Sequence, residues 1–256
     1  MEATRTVQIS DQEARLLDAG SGPVAVVLHG WGGRIESMAP VIDCLSESFR
    51  VVALDLPGFG ESPVPHGIWG TADYAAFVRD ILGSLGIERA HLVGHSFGAK
   101  TSLYLAATYG SMVDKLVLVG SSGLRSAPSM TARIKRATSK TAKAVGKLGS
   151  PGRALRDAAY RRLASEDYRS AGAMRPIFVK VVNEDIAGLL PSVRSSTLLV
   201  WGSDDDAVPL AHARKMEVSI PDAGLVVFEG AGHFAYLDDP QRFCRVIRHF
   251  LGAPLL

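Results

Sequence analysis

Cysteine is scarce in this chain, and no hydrophobic run is long enough to cross a membrane. Its two cysteines, Cys44 and Cys244, each fall in a helical pattern and are too few to suggest a disulfide framework. We therefore expect two buried thiols in a reducing compartment. No window approaches the roughly 18 apolar residues that span a bilayer, and the polar N-terminus has no signal-peptide run. A cytoplasmic location is predicted.

An excess of charge of one sign is also lacking. The net charge is +2, from 28 basic and 26 acidic residues, so the bulk charge does not indicate a nucleic-acid partner. This total conceals an asymmetry. Residues 123–194 carry 15 Lys or Arg and 5 Asp or Glu, a net of +10, whereas the remainder has 13 basic and 21 acidic residues, a net of −8. An acidic body therefore carries a basic segment.

Short apolar runs alternate with helical patterns along most of the chain. Near-continuous apolar runs are typical of strands buried on both faces of a parallel sheet. They lie at residues 24–28, 51–54, 91–93, 116–119, 198–201 and 225–228. Segments near residues 6–9 and 14–18 predict an antiparallel lead-in. Helical patterns lie at residues 36–47, 72–85, 98–109, 210–219 and 240–250. The alternation predicts an α/β fold with a mostly parallel central sheet flanked by helices.

Residues 123–194 break this alternation, because they show helical stretches but no strand pattern. They predict a helical, basic insertion into a core formed by residues 1–122 and 195–256. Five basic residues within it follow one another at intervals of 3, 4, 3 and 4, which places them on one face of a helix. They are Arg133, Arg136, Lys140, Lys143 and Lys147. This stripe is either a solvated outer face or a surface for an anionic membrane or acidic partner.

A candidate nucleophile lies in GHSFG, residues 94–98, between a predicted strand and a predicted helix. This is the G-x-S-x-G pattern in the strand-to-helix context that it requires, and Ser96 is the expected nucleophile. The turn is so sharp that small residues must flank the serine, as Gly94 and Gly98 do. We expect His95 to pack beside the turn and Lys100 to lie on a solvated helix face.

The loop HGWGG, residues 29–33, follows the first apolar run. Acyl transfer through a tetrahedral intermediate needs two N–H donors directed at the negative oxygen. One is expected from Phe97, directly after the nucleophile, and the other from Trp31, because the glycines let this backbone approach the substrate. Gly30 supports that approach, and His29 is expected to orient the loop by hydrogen bonding.

A candidate base and acid follow the last two strands. GAGH ends at His233, on a glycine-rich loop that can reach over the sheet toward the serine. An acid that orients this imidazole should follow a strand between Ser96 and His233, and WGSDDDAVP supplies three candidates, Asp204, Asp205 and Asp206. Three contiguous aspartates do not by themselves form a convergent cage for a metal. No metal and no organic cofactor are predicted.

Together these motifs resemble the α/β-hydrolase superfamily over essentially the whole chain. HGWGG, DLPGFGES at residues 55–62, GHSFGA, WGSDDDAVP and GAGH occur in the order and at the separations of that family. The resemblance implies a Ser-His-Asp site. The family pattern W-G-x-x-D-x-x-V-P places the acid on Asp205, with Asp204 and Asp206 at variable positions. It also implies that residues 123–194 form a helical cap over the site.

The implied activity is hydrolysis of a small-molecule carboxylic ester through an acyl-enzyme. Relatives within the superfamily instead cleave carbon–carbon bonds of dienoic diketo acids or perform cofactor-free peroxidation. The sequence is also similar to pimeloyl-carrier-protein methyl ester esterases, whose caps receive an acidic carrier through basic residues. A ligand receptor that keeps the fold without catalysis is a further alternative. A dehalogenase is disfavoured, because that branch needs Asp at the position of Ser96.

Overall fold

The computed structural model describes residues 4–125 and 171–253. The chain separates into two compact units, one formed by residues 1–124 and 180–256 and the other by residues 125–179. The second unit is narrower than the insertion predicted at residues 123–194, since residues 123–124 and 180–194 belong to the first unit, and the helical cap itself stays a prediction. The predicted basic stripe, Arg133 to Lys147, lies outside the described residues.

An eight-stranded sheet forms the centre of the first unit. Its strands are β1 (Arg5–Ile9), β2 (Gln12–Ala19), β3 (Val24–Leu28), β4 (Arg50–Leu54), β5 (Ala90–His95), β6 (Val113–Val119), β7 (Ser196–Gly202) and β8 (Ala223–Phe228). They are ordered β1-β2-β4-β3-β5-β6-β7-β8. Strand β2 pairs antiparallel with β1 and β4, and every other pair is parallel. The predicted fold class, including the antiparallel lead-in, is confirmed.

The helices follow the strands much as the apolar periodicity predicts. They are α1 (Ala39–Ser46), α2 (Thr71–Ser84), α3 (Phe97–Thr108), α4 (Arg175–Asn183), α5 (Leu210–Ser219), α6 (Ala235–Asp238) and α7 (Pro240–Leu251). Short 3-10 turns occur at Ile35–Met38, Gly110–Met112, Gly172–Met174 and Ala187–Ser192. Among the described residues, no helix has both the length and the apolar character needed to cross a membrane.

Strands β3 to β7 are buried along most of their length, which explains their uninterrupted apolar sequences, whereas β8, at the edge of the sheet, is only partly buried. Val26, Leu92, Val117 and Val200 are all inaccessible to solvent. Because β3, β5, β6, β7 and β8 run parallel, their carboxyl ends meet at one edge of the sheet. In open α/β sheets, ligands bind beyond that edge. The predicted site residues follow these strands and so gather there.

A disulfide joins Cys44 of α1 to Cys244 of α7, with 5.8 Å between the two Cα atoms. The prediction of two buried thiols is therefore wrong. The cysteines are 200 residues apart, and their helical patterns did not show that these two helices lie side by side. Arg248 reinforces the same junction, since its guanidinium donates hydrogen bonds to the Cys44 carbonyl and to Ser48 Oγ at 3.1 and 3.0 Å.

Candidate active site

Ser96 occupies the sharp turn between β5 and α3 in a strained backbone conformation. Its φ of 50° and ψ of −105° lie outside the regions that L-residues prefer. The turn is fixed from both sides. Ser96 N–H donates to Val119 O of β6 at 2.9 Å, and Lys100 N–H donates to Ser96 O at 3.0 Å. Strain of this kind costs about 1–3 kcal/mol and persists only where the surroundings enforce it.

The flanking glycines permit a backbone approach that no side chain would allow. A Cβ at Gly98 would overlap the carbonyl oxygens of Leu28 and His29. A Cβ at Gly94 would lie 2.6 Å from the backbone N and Cα of Ala99. Real Cβ atoms essentially never come so close. The start of α3 can pack against the end of β3 only because residue 98 is glycine, and it can fold back onto β5 only because residue 94 is glycine.

The loop after β3 lies directly against this turn. A Cβ at Gly30 would be 3.3 Å from Ser96 Cβ. His29 holds the loop through both ring nitrogens: Nδ1–H donates to Gly30 O at 2.7 Å, and Nε2 accepts from Leu56 N–H at 3.0 Å. Only a neutral imidazole can donate and accept in this way. Burial lowers the pKa of His29 and so favours that neutral form.

The two residues predicted to supply oxyanion N–H groups are neighbours in the structure. Phe97 is the first residue of α3, where the N–H groups have no carbonyl partner within the helix. The Trp31 ring meets the Phe97 ring edge-on, with 5.5 Å between centroids. It also meets Phe59 at 4.8 Å. We call Trp31, Phe59 and Phe97 the aromatic wall.

The three adjacent aspartates have different surroundings. The Asp205 side chain is fully buried, whereas Asp204 and Asp206 are exposed. Asp205 Oδ1 accepts hydrogen bonds from the N–H groups of Ala207 and Val208 at 2.9 and 2.8 Å. Its Oδ2 lies 2.8 Å from Nδ1 of His233. The structure therefore brings one of the three candidates to the predicted base.

The residues that set the register of this aspartate turn also shape it. Trp201 Nε1–H donates to Val208 O at 2.8 Å and so closes the turn from both ends. A Cβ at Gly202 would overlap the carbonyl oxygens of Ala231 and Gly232, so this glycine lets the next loop pass. Among the described residues, no group of three or more His, Cys, Asp or Glu is arranged to hold a metal ion.

Gly120, at the end of β6, completes the surroundings of the His–Asp pair. A Cβ there would lie 3.0 Å from Cε1 and Nδ1 of His233 and 3.4 Å from Oδ2 of Asp205. Its φ of 53° also favours glycine. Sequence reasoning missed this residue. The available signal was a glycine directly after the apolar run at 116–119, on the strand beside the one that precedes the predicted nucleophile.

Lys100 contradicts the prediction of a solvated helix face, because only 1% of it is exposed. Its Nζ donates hydrogen bonds to Val181 O at 2.6 Å and Glu184 O at 3.3 Å, and lies 3.6 Å from Glu184 Oε2. These carbonyls lie at and just beyond the C-terminal end of α4, where helical carbonyls lack partners. Burial lowers the pKa of Lys100, and Glu184 opposes that shift.

Known proteins resemble the chain over nearly its whole length. A 2-hydroxy-6-oxo-6-phenylhexa-2,4-dienoate hydrolase of Comamonas testosteroni is 28% identical, over 95% of this chain and 92% of that protein. Two solved structures share the fold. A membrane phospholipase A has a TM-score of 0.78 and 23% identity, over 98% of this chain and 86% of that one. An esterase of Exiguobacterium antarcticum has a TM-score of 0.75 and 21% identity, over 97% and 99%.

Beyond these individual likenesses, one family model covers most of the chain. It matches residues 25–246 and therefore spans the loop after β3, the serine turn, the aspartate turn and the His233 loop. The chain belongs to the alpha/beta hydrolase family.

Proposed function

We propose that this protein is a serine hydrolase that cleaves carboxylic esters through an acyl-enzyme. The observation that carries the proposal is the 2.8 Å contact between His233 Nδ1 and Asp205 Oδ2, at the sheet edge where Ser96 occupies its strained turn. A buried carboxylate that accepts the Nδ1 proton fixes the tautomer whose Nε2 can accept a proton from serine. In this proposal Ser96, His233 and Asp205 are nucleophile, base and acid.

The first half of the proposed reaction forms the acyl-enzyme. Ser96 Oγ attacks the ester carbonyl while its proton moves to His233 Nε2, and the carbonyl electrons move onto the oxygen. The N–H groups of Trp31 and Phe97 donate to that oxyanion, and the N-terminal dipole of α3 adds favourable potential. The intermediate then collapses, the bond to the alcohol oxygen breaks, and His233 returns the proton to the alcohol.

Water completes the cycle by the same steps. His233 accepts a proton from water, the resulting hydroxide attacks the acyl carbonyl, and the second intermediate expels Ser96 Oγ, which regains its proton from His233. Asp205 remains a carboxylate throughout and stabilises the imidazolium that forms twice. Each oxyanion donor is expected to contribute about 3–4 kcal/mol. No metal or organic cofactor takes part in this proposal.

Labelling by a fluorophosphonate tests the nucleophile. Wild type should be labelled at Ser96 and should hydrolyse p-nitrophenyl esters, whereas Ser96→Ala should lose labelling and as much as about a millionfold in kcat. Ser102→Ala is the matched control, because this serine of α3 is buried and its hydroxyl donates a hydrogen bond to the Gly98 carbonyl at 2.8 Å. Its labelling should match wild type. A wild type that resists labelling would favour the receptor hypothesis instead.

Hydrolysis of a carbon–carbon bond is the second candidate. The Comamonas testosteroni relative, 28% identical over 95% of this chain, is named for a phenyl-substituted dienoate, and Trp31, the partly exposed member of the aromatic wall, offers apolar surface on the loop that lies against Ser96. Parallel assays with graded p-nitrophenyl esters and with 2-hydroxy-6-oxo-6-phenylhexa-2,4-dienoate separate the two. A larger kcat/KM for the dienoate would replace the ester proposal while leaving the three site residues in place.

The partner and location hypotheses stay predictions. The acidic-carrier and membrane-surface hypotheses depend on the basic stripe, which lies outside the described residues. Reversal of Arg136, Lys140 and Lys143 to Glu should weaken turnover of a carrier-bound or lipid ester and spare a small ester. Equal losses on both would contradict it. The cytoplasmic location also stays a prediction, and because Cys44 and Cys244 are joined in a disulfide, free thiols no longer support it.

A further inference from the structure

His95, the residue before the nucleophile, is buried between two loops of the candidate site. Only 3% of it is exposed. Its Nε2 lies 3.0 Å from the backbone carbonyl oxygen of His233, 138 residues away. A carbonyl can only accept, so His95 Nε2 carries the proton and donates it. The end of β5 is thereby tied directly to the loop that bears the proposed base.

The His95 ring also packs against three residues of that loop and of the helix α6 that follows it. Its centroid is 4.7 Å from that of His233, 4.9 Å from that of Phe234 and 5.3 Å from that of Tyr236. Phe234 itself is half exposed, so the loop has solvent on one side and His95 on the other. The ring is thus a buried support on one side of this segment.

The opposite edge of the ring faces the loop after β3, which carries the proposed oxyanion donor Trp31. A Cβ at Gly30 would lie 2.8 Å from Nδ1 of His95. The His95 ring therefore lies between the loop that carries Trp31 and the loop that carries the proposed base. His95 also directly precedes the proposed nucleophile in the chain. A residue that only filled the core would not need a proton donor aimed at the carbonyl of the base.

We propose that His95 is a positioning residue, which holds the His233 loop in register with Ser96 through its Nε2–H donor and its ring contacts. The inference rests on the proposed function. It assigns no proton transfer to His95. The ring has to remain neutral beside His233, which becomes an imidazolium during acyl transfer, and burial supports this by lowering the pKa of His95 to about 3.

Substitutions that separate volume from hydrogen bonding test the inference. His95→Phe keeps an aromatic ring but removes the donor, and should lower kcat for a p-nitrophenyl ester by about 100-fold, as expected for a small misplacement of a catalytic group. KM should change little, because the substrate does not bind through His95. His95→Gln keeps an N–H donor of similar reach and should restore most of kcat.

His91→Phe is the matched control. His91 lies on the same strand, is also buried, and packs edge-on against Phe49 rather than against a site loop. It should leave kcat unchanged. Equal kcat in wild type, His95→Phe and His91→Phe would overturn the inference, as would equal losses in His95→Phe and His95→Gln at unchanged melting temperature. Failure of the proposed function would give a different result, because wild type itself would then neither react with the fluorophosphonate nor hydrolyse esters.

Discussion

The serine turn and the α1–α7 junction hold distant parts of the chain together by opposite means. At the turn, Gly94 and Gly98 let backbone pack on backbone. At the junction, side chains make the link: a disulfide joins Cys44 to Cys244, and Arg248 donates a hydrogen bond to the Cys44 carbonyl of α1. Backbone packing at the turn fixes the positions of the site atoms. The side-chain links at the junction limit how far α1 and α7 can move apart. Changes at the site should therefore lower rate, and changes at the junction should lower stability.

After Ser96→Ala, the largest loss of rate is expected at the buried member of the aspartate triplet. Asp205→Asn should lower kcat by about 10⁴-fold, because an amide no longer fixes the His233 tautomer or stabilises the imidazolium. Asp204→Asn and Asp206→Asn should cost little, since both side chains are exposed. Steady-state kinetics on one ester, with melting temperatures alongside, check this. Sensitivity at Asp204 or Asp206 would show that the register is wrong.

The disulfide should show the opposite behaviour. Replacing both cysteines by alanine should lower the free energy of unfolding by about 2–4 kcal/mol and leave kcat/KM unchanged. Guanidinium unfolding of wild type and of the double variant measures the difference. A reducing agent should shift the wild-type transition toward that of the variant and leave the variant itself unmoved. If the reducing agent lowered kcat/KM of the folded enzyme as well as its stability, the division between a rate-determining turn and a stabilising junction would be wrong.

Adding one methyl group at the serine turn should lower rate. Gly98→Ala places a Cβ on the carbonyl oxygens of Leu28 and His29, and the resulting shift of Ser96 should cost about 100-fold in kcat/KM. Gly83→Ala, within α2, is the matched control, because no atom lies within 4 Å of the added Cβ. It should be fully active and more stable by roughly 0.5–1 kcal/mol.

Buried neutral histidines should make the site acid-sensitive. The pKa of His95 is about 3 in the folded protein, below its ordinary unfolded value, so the unfolded chain binds more protons as pH falls. The free energy of unfolding is therefore unaffected by His95 above about pH 6.5 and falls below that pH. The loss due to His95 should reach about 2 kcal/mol at pH 5. Unfolding at pH 7 and pH 5 tests this. The loss of unfolding free energy between pH 7 and pH 5 should be smaller in His95→Gln than in wild type. An identical loss in the two proteins would show that groups other than His95 cause it.

A loss of stability of similar size is expected behind the turn, at Lys100. Lys100→Met leaves the carbonyls of Val181 and Glu184 without this donor and should cost about 1–3 kcal/mol of unfolding free energy. Lys215→Met, at an exposed position of α5, should stay within about 0.5 kcal/mol of wild type. Chemical denaturation of both variants checks the difference. Equal stability of the two would mean that water satisfies those carbonyls.

How much could be predicted from the sequence depended on whether the signal was local. The strands were predictable because burial on both faces leaves uninterrupted apolar runs, and the serine turn because its glycines flank Ser96 directly. The Cys44–Cys244 pairing and the burial of Lys100 were not predictable, since each depends on which distant segments pack together. Gly120 falls between these cases: its glycine was visible, but its neighbours His233 and Asp205 are brought to it only by the fold.

The disulfide described between α1 and α7 also has a topological consequence. Residues 45–243 form a closed covalent loop, and Ser96, Asp205 and His233 all lie within it. A protease that cuts once between the two cysteines therefore leaves a single molecule, which separates into two fragments only after reduction. Until then each half remains at a high effective concentration near the other, whatever the dilution. The cross-link makes reassembly of a nicked chain an intramolecular event.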